Sequence, residues 1–89
     1  MRPVARVWEP RSGRWMSVRS DQPGVQLYTG NFLDGSIHGK DGAVYHKYGG
    51  LCLETEGFPN AVNNPAFPSA VLRPGEEYRH KSIYRFSAQ

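Results

Sequence analysis

Residues 50–55 read Gly50-Leu51-Cys52-Leu53-Glu54-Thr55. Apolar and polar side chains alternate, so an extended backbone points Leu51 and Leu53 to one face and Cys52 and Glu54 to the other. Val25-Gln26-Leu27-Tyr28-Thr29 carries the same alternation, with Val25 and Leu27 on one side and Gln26 and Tyr28 on the other. Segments of this kind predict an all-β fold of antiparallel strands and hairpins.

Residues 4–9 and 14–20 read as a hairpin around the turn Pro10-Arg11-Ser12-Gly13, with Met16 and Val18 on one face. Asp21-Gln22-Pro23-Gly24 is a second turn, because proline presets its φ angle and glycine accepts a positive one. Residues 30–42 contain Gly30, Gly35, Gly39 and Gly42 and read as a loop; residues 43–48 read as a short extended piece. Residues 56–70 form a long loop with Pro59, Pro65 and Pro68 among Asn60, Asn63 and Asn64. An irregular loop of that length in a small domain usually serves function or packs over something. Val71-Leu72, the turn Arg73-Pro74-Gly75-Glu76 and a strand over 78–86 are expected to close the chain as a hairpin. In that last strand Tyr78, His80, Ser82, Tyr84 and Phe86 share a face.

Eighty-nine residues form one segment, 1–89, with no internal repeat or linker. A chain this short buries about 60–65% of its unfolded surface, so its core is thin. Ten glycines, seven prolines and 12% aromatic residues favour strands and turns over helices, and 38% hydrophobic residues is too apolar for disorder. The net charge is +3, with Arg2, Arg6, Arg11, Arg14 and Arg19 in the first nineteen residues against the single acid Glu9. Spread over two strands and a turn, they read as a solvated strand face, and no nucleic-acid partner is expected. Cys52 is the only cysteine, which excludes an internal disulfide and fits a reducing compartment. No apolar run reaches membrane-spanning length, and residues 1–6 lack the apolar stretch of a secretory signal. The expectation is a soluble cytoplasmic protein with no membrane partner.

Few residues suit chemistry. His38, His46 and His80 lack paired ligand spacing, so no metal site is expected. Cys52 with His46 is a conceivable nucleophile pair, but a lone cysteine more often packs in a core. Gly39-Lys40-Asp41-Gly42 lacks both the ending and the following helix of a phosphate-binding loop. Glu54 is the remaining candidate. A partly desolvated carboxylate at a strand end can serve as a general base near neutral pH, although an ordinary surface glutamate would look the same in the sequence.

Several stretches, taken in order, resemble the aldose 1-epimerases, or galactose mutarotases. They are residues 25–33 (VQLYTGNFL), Gly39-Lys40-Asp41-Gly42-Ala43-Val44-Tyr45, Cys52-Leu53-Glu54-Thr55, Pro59-Asn60-Ala61-Val62-Asn63, Phe67-Pro68 and residues 72–78 (LRPGEEY). Ser12-Gly13-Arg14 and Gln22-Pro23-Gly24 fit as well, so the resemblance covers nearly the whole chain. It implies a large antiparallel β-sandwich of which this segment is the carboxyl-terminal part. It also implies interconversion of the α and β anomers of aldoses such as galactose and glucose. Glu54 then matches the general base that takes the C1 hydroxyl proton, and Gln26 matches a glutamine that contacts the sugar. No metal or organic cofactor is implied.

In that family the histidine that protonates the ring oxygen lies upstream of the matched region, as do a second sugar-binding histidine, an aspartate and an Asn/Arg pair. His38, His46 and His80 do not fall on those positions. Glu56 stands where the family commonly has glutamine. The resemblance therefore implies a mutarotase segment, incomplete by itself, whose partners are the sugar and either another copy or the amino-terminal part of the fold. The alternative is a non-catalytic sugar-binding or strand-pairing module, with Gln26, Glu54 and Tyr28 in a shallow site.

Overall fold

The computed structural model describes residues 1–89 and contains five strands, two single-turn 3-10 helices and no α-helix. The strands are β1 (Arg2–Glu9), β2 (Arg14–Ser20), β3 (Gly24–Tyr28), β4 (Cys52–Glu56) and β5 (Ser82–Ala88). They form a three-stranded antiparallel sheet in the order β1-β2-β5 and a two-stranded antiparallel sheet, β3-β4. No helix is long and apolar enough to cross a membrane.

The β1–β2 hairpin turns where the sequence places it. Gly13 takes the positive φ of 71° and its amide closes the turn on the Glu9 carbonyl at 2.8 Å. The Glu9 carboxylate accepts from the amides of Arg11 (2.9 Å) and Ser12 (2.7 Å). Hydrogen bonding from the Ser12 side chain, then from these two amides, holds Glu9 below the ordinary carboxylate range, and Arg14 adds to the effect. The Arg73–Glu76 turn is also present, with Glu76 donating to the Arg73 carbonyl at 3.0 Å and Gly75 at φ 86°.

The closing hairpin does not form. Val71 and Leu72 lie outside any strand, and β5 pairs instead with β2, matching Val18 to Tyr84 and Ser20 to Ser82. Two apolar residues offer too short a ladder to hold a seven-residue strand, whereas β2 offers its whole length. The extended piece at 43–48 reduces to one bridge between His38 and Val44.

Register sets the two faces of the larger sheet. One face carries Ala5, Val7, Met16, Val18, Tyr84 and Phe86, and β4 of the smaller sheet is joined to it by hydrogen bonds with β5. Ser82 clasps the two sheets together: its Oγ lies 3.1 Å from Ser20 Oγ and 2.7 Å from Thr55 Oγ1. The Tyr84 hydroxyl donates to the Leu53 carbonyl at 2.7 Å. The opposite face carries Trp8 stacked on Trp15 (centroids 6.1 Å apart) and brings Arg6, Arg19 and Arg85 together. The arginines that look scattered in the sequence are gathered here because β5 contributes the third.

The core is small. Val18 is the one large apolar side chain fully buried, and Ser20 beside it is equally enclosed. The accessible surface is 7374 Å², about 2,000 Å² more than the roughly 5,200 Å² of a folded monomer of this mass. The radius of gyration is 16.7 Å, against about 12 Å for a compact chain of this length. Phe86, Leu27 and Tyr84, on the surfaces that face between the sheets, are 71%, 55% and 42% exposed.

Candidate functional site

The β3-β4 ladder pairs Gln26 directly with Glu54. Cross-strand partners in an antiparallel pair hold their Cβ atoms roughly 4.5–5.5 Å apart on one face, so the carboxamide and the carboxylate stand side by side. Thr55, one residue from Glu54, is turned toward Ser82 and the larger sheet. Gln26 and Glu54 therefore look away from that sheet, and both are exposed.

The same face continues to either side of the pair. Tyr28 is matched to Cys52 at one end and Gly24 to Glu56 at the other. Tyr28 is stacked on Phe32, with centroids 6.3 Å apart, and its hydroxyl accepts from the Phe32 amide at 3.3 Å. At the far end the absence of a side chain on Gly24 matters, since a Cβ there would meet the Phe58 ring at 3.3 Å. Phe58 in turn packs on Phe67, with centroids 4.9 Å apart. The polar pair thus sits between two aromatic rims.

The rim at Phe58 belongs to the long loop after β4. Asn60 adopts the left-handed conformation at φ 59°. Its side-chain oxygen accepts from Asn63 at 2.6 Å and its carbonyl from the Asn64 side chain at 2.7 Å. Ala61 is buried beneath this knot. Asparagine tolerates this backbone better than most residues, which explains the Pro59-Asn60 sequence at the bend.

Nothing in the chain neutralises Glu54. The charged contacts lie elsewhere: Arg79 pairs with Glu77 at 2.8 Å, and His80 Nδ1 lies 3.6 Å from Asp21 Oδ1. Gln26 makes one long bond, from Nε2 to the Leu27 carbonyl at 3.4 Å, so its amide oxygen stays free. A carboxylate beside an amide that both donates and accepts can bind a pair of hydroxyls and remove a proton from one. No histidine is on this face: His38, His46 and His80 all lie outside β3 and β4. No group of three or more His, Cys, Asp or Glu gathers anywhere. None of the four cavities includes Gln26 or Glu54, so the face is open.

Two expectations change here. Glu54 is exposed rather than partly desolvated, and Cys52 is an exposed free thiol rather than a core residue. His46 lines a different cavity, with Leu33, Val44 and Tyr45. Alternation shows that Cys52 shares a face with Glu54; it does not show that nothing within the chain covers that face.

A family model described as aldose 1-epimerase matches residues 1–85. The chain belongs to the aldose 1-epimerase family. It is 60% identical over 83 residues to a galactose mutarotase of Mus musculus, covering 93% of this chain and 24% of that protein. The galactose mutarotase of Homo sapiens is 59% identical over the same extent. The aldose 1-epimerase of Escherichia coli (strain K12) is 37% identical over 88 residues, 97% of this chain and 25% of that protein. The chain thus spans about a quarter of the length of these aldose 1-epimerase relatives. Its thin core and surplus surface agree with that proportion.

Proposed function

We propose that this chain supplies the general base and one sugar contact of an aldose 1-epimerase site, acting on aldoses such as galactose and glucose. Glu54 accepts the proton of the C1 hydroxyl. As that O–H bond breaks, its electron pair forms the C1 carbonyl, and the bond from C1 to the ring oxygen opens. The ring oxygen takes a proton from an acid; rotation about C1–C2 and the reverse steps give the other anomer. Gln26 holds a neighbouring hydroxyl. The observation that carries this reading is the direct pairing of Gln26 with Glu54 on an open sheet face, in a chain of this family.

The same reading makes the chain incomplete alone. A base without an acid leaves half of the proton transfer undone, so the acid comes from polypeptide beyond these 89 residues. We read the segment as the carboxyl-terminal part of a mutarotase sandwich that docks on the amino-terminal part. The surplus of about 2,000 Å² exceeds the roughly 800 Å² per partner of a standard interface. The outer edges of β1 and β5 and both edges of β3-β4 are free to pair. The reaction breaks and remakes one C–O bond by proton transfer with no net change of oxidation state, so no redox cofactor is needed. The free thiol of Cys52 suits the cytoplasm, where we place the activity.

Polarimetry on freshly dissolved α-D-galactose tests this. The chain alone should leave the spontaneous rate unchanged. Mixed with a galactose mutarotase truncated to remove the corresponding quarter, it should restore catalysis. The exposed apolar surface also supports a second reading, a strand-pairing or sugar-binding module without activity. That reading is favoured if the mixture forms a complex or binds galactose but stays inactive.

A further inference from the structure

The outer face of the three-stranded sheet holds a feature that the proposed sugar chemistry does not use. Arg6, Ser17 and Arg85 lie in one row across β1, β2 and β5, and Pro3, Arg19 and Ile83 lie in the next. These six residues line a shallow basin of about 410 Å³. Ser17 is its floor, flanked by two arginines on strands two spacings apart, so their backbones are roughly 10 Å from one another. Arg19 stands on the floor strand two residues from Ser17.

None of the three guanidinium groups has a partner. The chain's arginine–carboxylate pair is Arg79–Glu77, and its arginine side-chain hydrogen bonds come from Arg2 and Arg79. The acids nearest in sequence are occupied elsewhere. Glu9 caps the amides of Arg11 and Ser12, and Asp21 accepts from the Lys81 amide at 3.1 Å. Arg19 lies diagonal to both Arg6 and Arg85 on the adjoining strands, which gathers three positive charges on one face. Three unpaired arginines lining one basin around Ser17 offer planar, multidentate donors that a bound anion would satisfy.

We infer that this basin is a binding site for a compact, multiply charged anion of the phosphate class, separate from the Gln26–Glu54 face. The basin is too small and too local for a polymer, and its arginines occupy two adjacent rows of one sheet face instead of a long track. Free phosphate and the phosphate group of a small ester present the same oxygens to it.

The test is titration of the 89-residue chain with inorganic phosphate and pyrophosphate, against sodium chloride at matched ionic strength. Arginine Nε–Hε NMR signals report the site, and Trp8 and Trp15 fluorescence reports the neighbouring rows. The expected result is saturable shifts of the Arg6, Arg19 and Arg85 signals, with pyrophosphate tighter than phosphate. Arg85→Gln should weaken pyrophosphate by roughly tenfold, as for loss of a charge-assisted hydrogen bond, while Lys47→Gln leaves it unchanged. Should Arg85→Gln disturb the fold, Arg6→Gln and the wild-type NMR titration give the same readout. Chloride matching pyrophosphate, shifts spread over all arginines, or an acidic peptide saturating the basin more tightly than pyrophosphate would each overturn the assignment. A phosphate ester competing with pyrophosphate identifies an ester as a ligand; competition by phosphate alone leaves the free ion.

Discussion

Replacing Ser82 with alanine should free the β3-β4 pair from the larger sheet while leaving that sheet folded. Ser82 Oγ bonds Thr55 Oγ1 at 2.7 Å and Ser20 Oγ at 3.1 Å, and it is the one side chain that joins β2, β4 and β5. Each bond contributes about 1 kcal/mol net, so losing both costs about 2 kcal/mol. Ser20, although fully enclosed, keeps its bond from the Gln22 amide at 3.0 Å, so its oxygen is not orphaned and the cost does not climb further. An isolated two-stranded ribbon is marginal in water, so detachment and fraying of β3-β4 should occur together. Two kilocalories correspond to roughly a thirtyfold change in an opening equilibrium. Amide hydrogen exchange followed by NMR should therefore show the ladder amides of β3 and β4 exchanging roughly thirtyfold faster in Ser82→Ala, with those between β1 and β2 little changed. Tyr84→Phe, which removes the donor to the Leu53 carbonyl, should act in the same direction by about fivefold. Equal acceleration in all five strands, or none in β3-β4, would refute the idea that Ser82 is the clasp that positions the candidate site.

Other consequences can be checked as directly. Val18→Ala removes two methyl-sized groups from the one fully buried apolar position and should cost about 2 kcal/mol, read as a lowered urea midpoint. Glu9 is held below its ordinary 4.5, so its contribution is complete above that pH and is lost as pH falls through the depressed value. Glu9→Gln should accordingly lower stability at neutral pH and flatten the acid side of the stability profile below about 4.5, by circular dichroism against pH. Gln26→Ala should weaken galactose binding by roughly tenfold in the completed protein without altering its circular dichroism, measured by titration calorimetry.

Strand identity was legible because alternation is a local property. The Leu53–Glu54 and Leu27–Gln26 patterns assign β4 and β3 and put Gln26 and Glu54 on compatible faces. Strand pairing is not local, and the last strand shows the difference. Tyr84 and Phe86 alternate properly, yet nothing in their spacing tells β2 from Val71-Leu72 as the partner. The arginine basin was hidden for the same reason, since Arg85 lies far along the chain from Arg6 and Arg19. Burial was the least legible property. Cys52 and Glu54 share a face in either case, but whether that face is covered depends on atoms beyond the strand, and within these residues it is open. The base role proposed for Glu54 rests on the ordered motifs around it, which strand alternation alone does not supply.

The proposed base role of Glu54 is tested most directly by the Glu54→Gln variant. The variant chain and the wild-type chain should each be combined with the truncated mutarotase, complex formation confirmed by native mass, and initial rates on α-D-galactose followed by polarimetry. Complex formation should be equal and the variant's rate lower by about 10²–10⁴, the usual contribution of a positioned base. A variant complex as active as the wild-type one would contradict the base role.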